Sequence, residues 1–248
     1  MSLHLAQRTF VAALLTLVCF TAFTPDTRAQ AIQSKQPKGQ TAVVIDERLS
    51  ILRFEPSLSA VIFQRLSHGR EVKVLGAKKS DGVVFYRVLV PPSTRAWIQS
   101  EAVVSTVRKG DDERLFNLIM ASDGMDKIER ARIFLEVFHI SSHRPAVLLI
   151  FGDAANETAE KLSRDIQHKF DEREVAASGA PAHSFYWNFK ELDKFRRQGM
   201  NFTFNMDQKK FCYDGAEWRE VIQRFPNSTE AAEARKRLDL LLDKAAQK

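Results

Sequence analysis

The apolar residues of this 248-residue chain change their period once, near Val107, and that change constrains the fold more than any other feature. Before it, short runs rich in Val, Ile and aromatics are broken by turn residues. They are AVVI (42–45), LSILR (49–53), VIFQRL (61–66), EVKVLG (71–76), VVFYRVLV (83–90) and RAWI (95–98), separated by EPS, HG, SDG and PPS. Runs of this length at close spacing predict a small barrel or sandwich. In EVKVLG, Val72 and Val74 share one strand face, the core side. Beyond Val107 the apolar positions recur at three and four residues. Ile128, Ala131, Leu135 and Phe138 fall on one face of a predicted helix over 125–140. Helices are also predicted over 111–121, with acids in its first turn, and over 145–170, where Pro145 suits the first turn, with or without a break near Gly152.

Residues 171–184 (DEREVAASGAPAHS) are small and polar and read as a loop, and 185–199 reads as a helix ending at Gly199. Phe202 and Phe204, then Phe211 and Tyr213, alternate with polar residues about an MDQK turn, which predicts a β-hairpin. The chain closes with two helices over 216–243. Asp214 opens the first, Pro226 stops it, and Asn227 or Ser228 caps the second. Trp218 and Phe225 are expected to fill the corner, and Ala231, Ala234 and Leu238 form the facing stripe.

The first residues carry an address. Residues 10–23 (FVAALLTLVCFTAF) form an uncharged, mostly apolar run, too short for a membrane helix, which needs roughly 20 apolar residues. Small residues follow, with cleavage expected after Ala29 or Ala31. Residues 1–31 therefore read as a Sec signal peptide, and 32–40 as a polar linker. The expected location is the periplasm or the medium, with no stable membrane span after cleavage. Cys19 would leave with the peptide. Cys212 then remains alone, so no intrachain disulfide can form. The formal net charge of +6 is concentrated early: residues 41–105 carry nine Lys/Arg against six Asp/Glu, whereas 106–248 are neutral. Without a dense basic stripe, nucleic acid is not an expected partner.

Residues 42–104 resemble a bacterial SH3-like (SH3b) domain. The resemblance rests on LSILRFEPSLSAVIFQRLSHGREVKVLG, then FYRV, then RAWIQSEAV, with Phe85 in place of the usual Trp and Ala96 in place of the Gly before Trp97. FPNSTEAAEA (225–234) resembles a tetratricopeptide-like repeat. Together they imply a multidomain fold class: a small all-β SH3-like barrel (41–106), then a mostly α, tetratricopeptide-like domain (107–248) with a small β-hairpin. Such barrels commonly bind cell-wall peptides or envelope proteins through aromatic-lined grooves. Phe54, Phe85, Tyr86 and Trp97 are the candidates here. Each aromatic either fills the barrel or lines the groove. Phe85 and Tyr86 are adjacent in a strand, so one of them is expected on the outer face. The helical region would dock a protein partner or only cap the barrel.

Chemistry is sparse. His139 and His143 stand four apart but lack a third ligand, and Pro145 ends their helix, so no metal site is expected. All six His precede Cys212, whereas wall peptidases place Cys before His, so Cys212 reads as a small hydrophobe. Neither a phosphate loop nor Gly-x-Ser-x-Gly occurs. The acids of the helices alternate with Lys and Arg, as on a solvated face. These residues imply no cofactor and no catalytic group, and they favour an exported adaptor. The alternative is a wall hydrolase without a linear motif, whose catalytic pair would converge in a buried cleft.

Overall fold

The computed structural model describes residues 39–169 and 172–246, which lie within one compact unit, Lys35–Lys248. The signal peptide of residues 1–31 and residues 32–38 of the linker fall outside the described residues. Seven strands form one antiparallel sheet: β1 (Thr41–Val44), β2 (Ile51–Arg53), β3 (Ile62–Arg65), β4 (Glu71–Ser80), β5 (Val83–Val90), β6 (Thr94–Gln99) and β7 (Val103–Val104). Six of them match the six apolar runs of the sequence. The seventh is two residues long.

The expected fold class, an SH3-like barrel followed by a tetratricopeptide-like domain, is corrected by this topology. The sheet is a curled half-barrel with the order β3-β2-β6-β5-β4-β1-β7, and β3 and β7 remain as its edges. Closure would require β3 to pair with β7. β7 ends at Val104, the N–H of the next residue, Ser105, is taken by a helix carboxylate, and β3 is exposed along its whole length. The sheet also shares its core with the helices. Ala42, Val44 and Val103 point into the sheet's own core, whereas the alternate residues Ile45 and Val104 belong to the helical core.

Helices α1 (Asp111–Met120), α2 (Gly124–Val137) and α3 (Arg144–Lys169) follow, then the short α4 (Glu172–Ser178), α5 (Ala182–Trp187) and α6 (Leu192–Arg196). A hairpin of β8 (Phe202–Asn205) and β9 (Lys210–Tyr213) precedes α7 (Ala216–Arg224) and α8 (Thr229–Ala246). Two expectations fail here. Much of the loop predicted over 171–184 is α4, whose Ala176, Ala177, Arg173 and Glu174 are good helix formers. The single helix predicted over 185–199 is two, broken where Asn188 turns its side-chain amide back onto the Ser184 carbonyl (2.8 Å). Instead of a stack of helix pairs, one long helix is central. α3 packs against α2, α7, α8 and β9, and it runs unbroken through Gly152. A Cβ there would lie 2.6 Å from Trp218 Nε1, so glycine is what allows α7 to approach.

Polar groups tie the sheet to the helices. Asp111, buried in the first turn of α1, accepts the Ser105 N–H (2.8 Å) and Arg108 Nε (2.6 Å), with Arg114 Nη2 at 3.3 Å. Arg108 also donates to the Tyr86 hydroxyl (3.2 Å) and the Val103 carbonyl (3.0 Å). From α2, buried Arg130 donates to the Ile45 carbonyl (3.1 Å) and the Ser122 hydroxyl, and its Nη2 stands 3.7 Å from Asp46.

Asp46 gives this joint a pH dependence. Hydrogen bonds from the Arg48 guanidinium hold its carboxyl below the ordinary 3.8, helped by the Arg48 main-chain N–H and the charges of Arg48 and Arg130, and opposed by desolvation. A carboxylate depressed in the folded state adds stability above its unfolded pKa and loses it as pH falls through the folded value. Asp46→Asn is therefore expected to destabilise the protein at neutral pH, and to do so progressively less below about pH 4. Urea unfolding of both proteins at neutral and acid pH checks this. A gap that widened on acidification would contradict it.

Candidate functional site

The four aromatic candidates do not meet in a groove. Phe85 and Tyr86 are both buried, which corrects the expectation that one of them faces outward. Tyr86 lies in the sheet core with the Arg108 guanidinium 5.8 Å above its ring. Phe85 is on the opposite face of β5, which is covered there as well. Trp97 is half-buried, in register with Arg87 and Arg53. Phe54 alone is well exposed, at 63%, and its neighbours are residues that the sequence did not single out.

Those neighbours build the site. Phe54 packs edge-on against Phe63 of β3 (5.6 Å between ring centroids, 67°), and Leu58, Val61 and Ile62 are also exposed, Val61 to 70%. These five exposed apolar side chains lie on or beside an edge strand of the sheet, with the Phe54 and Phe63 rings in contact. Single exposed apolar residues need no explanation, but a contiguous patch marks an interaction surface. Folded proteins ordinarily protect a sheet edge with charge, Pro or a covering element. On β3 the only charged residue is Arg65, and a single register shift against β2, between Leu52 and Arg53, is the only irregularity of its pairing.

The backbone explains how the edge is presented. The Leu66 N–H donates to the carbonyl of Ser50, the residue before β2 (3.1 Å). By alternation, Arg65 turns its main-chain groups to the open side, and Phe63 is the extra residue where the β2–β3 register shifts between Leu52 and Arg53. The loop that carries Phe54 and Leu58 is pinned at both ends. Asp81, in the β4–β5 turn, accepts the Ser57 hydroxyl and the Leu58 N–H, each at 2.7 Å, and the Ser57 bond is the main cause of its lowered pKa. Arg53 Nη1 donates to the Ala60 carbonyl (2.7 Å). The apolar side chains are thus held in place before any partner arrives, which lowers the ordering cost of binding.

A second concavity, of about 770 Å³, lies between α3, the hairpin and α8, lined by Asn156, Arg164, Phe204, Lys210, Cys212 and Leu242 among others. Its thiol is no activated nucleophile. Burial pushes the Cys212 pKa up, the nearby Lys210 charge notwithstanding. His139 and His143 are not on one helix, because α2 stops at Val137, and the His143 ring stacks on Phe116 (4.4 Å, 10°). The donor atoms that do converge belong to His68, Asp126 and Glu129. Among the described residues, no helix is long and apolar enough to cross a membrane. Comparison with protein-family models, curated proteins and solved structures finds no match for the chain.

Proposed function

We propose that the protein is a non-enzymatic adaptor of the cell envelope that docks an extended segment of a partner protein along β3. The observation that carries this reading is an edge strand left open on a pinned loop and flanked by exposed Phe54, Val61, Ile62 and Phe63. An added strand would take main-chain hydrogen bonds from the open side of β3, where Arg65 faces, and the apolar side chains would select what is added. The envelope location rests on the sequence of residues 10–31, and the small basic excess of residues 41–105 suits anionic surroundings. The protonated Cys212 thiol weighs against a cysteine hydrolase.

The test uses purified protein and an Ile62→Lys/Phe63→Lys variant, each cross-linked in envelope extract and, in parallel, cosedimented with purified cell wall. Both side chains are exposed, so stability should stay within about 0.5 kcal/mol per substitution. Capture of a protein partner should fall at least about tenfold, since apolar hot spots at a docked edge each contribute about 2 kcal/mol or more. Equal capture by both proteins would remove β3 as the surface. Wall binding that survives the variant would place any wall contact elsewhere. A wild-type dimer that becomes monomeric in the variant would make the occupant a second copy.

A further inference from the structure

His68 stands in the turn between β3 and β4 and reaches the beginning of α2. Its Nδ1 is 3.0 Å from Glu129 Oε2 and 3.4 Å from Glu47 Oε1. Donor atoms of His68, Asp126 and Glu129 all lie within 4.8 Å of one another. Asp126 and Glu129 are three residues apart on α2 and therefore share a face. The His68 side chain is only 8% exposed, yet its Nε2 is buried without a hydrogen-bond partner. An imidazole placed for hydrogen bonding normally uses both nitrogens. A ligating imidazole does so too, donating its other ring N–H to a supporting group, so it is Nδ1, facing the carboxylates, and not the orphan Nε2 that points to an ion. Two ligands at about 2.0–2.1 Å from a tetrahedral ion stand roughly 3.3 Å apart, close to the 3.0 Å between Nδ1 and Glu129 Oε2.

The surroundings orient the donors. Glu129 Oε1 accepts Gln198 Nε2 at 3.4 Å, and Gln198 is in turn held by Arg132 Nε (2.8 Å), which leaves Oε2 to the imidazole. Glu47 Oε1 also accepts the His68 main-chain N–H (2.9 Å) and so fixes the turn. Arg130 faces Asp126 at 3.9 Å, too far for a direct hydrogen bond. Asp126 is 60% exposed and gives an ion a way in.

We propose that His68, Asp126 and Glu129 bind a divalent first-row transition cation, with Zn²⁺ as the representative. One nitrogen among carboxylates suits such an ion better than Mg²⁺ or Ca²⁺, which prefer all-oxygen shells. The ion would clip the β3–β4 turn to α2 and hold the end of the docking strand against the helices. This site goes beyond the adaptor reading and does not depend on it.

Purified protein is stripped with a chelator and titrated calorimetrically with Zn²⁺ and, separately, Mg²⁺, and its melting temperature is followed. One Zn²⁺ per chain should bind saturably and raise the melting temperature, as any ligand selective for the folded state does. Mg²⁺ should bind far more weakly. Asp126→Asn and Glu129→Gln should each weaken Zn²⁺ at least about tenfold, the lower bound for loss of a supporting group. Asp126→Asn, being mostly exposed, should keep its metal-free melting temperature. No saturable binding, equal affinity for Mg²⁺, or unchanged Zn²⁺ binding in either variant would overturn the site.

Discussion

Trp218→Ala is expected to cost about 3–5 kcal/mol of folding stability, the range for removing a large buried ring from a packed core. Trp218 is 3% exposed, meets the Tyr213 ring edge-on at 5.0 Å and lies against Gly152 of α3. Its Nε1 donates to Asp153 Oδ1 (3.1 Å). That hydrogen bond is the smaller part of the effect, because Arg237 already binds both Asp153 oxygens, at 2.6 and 3.0 Å, and would keep the carboxylate satisfied. The cavity dominates, since Gly152 offers no side chain to fill it. Urea unfolding should show a lower midpoint with an unchanged slope. A loss below about 1 kcal/mol would mean that α7 is not packed on α3 as described.

Asp111→Ala should destabilise the protein by a comparable amount, about 3–5 kcal/mol, because removing one partner of a buried ion pair leaves the other charge uncompensated. Arg108 would remain beside the sheet with its Nε unpaired, and the Ser105 N–H would lose its acceptor. Asp111→Asn separates the two contributions. It can still accept the Ser105 N–H but no longer neutralises Arg108 and Arg114, so its loss should be intermediate. If the alanine variant were no worse than a surface substitution, within about 0.5 kcal/mol, the sheet and helices would not be joined through this carboxylate.

The strands were legible because period-two and short apolar runs bounded by Gly, Pro and Ser have few other solutions. Whether such a strand is buried on one face or both was less visible. AVVI (42–45) and VVFY (83–86) are continuous apolar runs, the pattern of strands covered on both sides. Ile45 in fact turns to the helices, and Phe85 and Tyr86 are both buried. VIFQRL (61–66) carries the same pattern and is the opposite case, an exposed edge. Strand order decides between them, and strand order is tertiary information. For that reason Phe54 was found and Phe63 was missed. His68 and Glu129 left no signal at all, because they are brought together across 61 positions of chain only when the β3–β4 turn meets α2. The α4 segment is different. Its alanines and charged residues were readable as helix, and the polar character of the stretch outweighed them.

Strand addition at β3 is tested most directly by amide hydrogen exchange at Phe63 and Arg65, in the free protein and with the captured partner bound. The Arg65 amide faces the open side of the sheet, Phe63 sits at the register shift, and both should exchange quickly in the free protein. With an added strand paired to them they should be protected by at least about tenfold, as paired amides open only with their cooperative unit. Unchanged exchange at both positions, with protection appearing instead at Phe204 and Lys210 of the second concavity, would contradict docking at the edge.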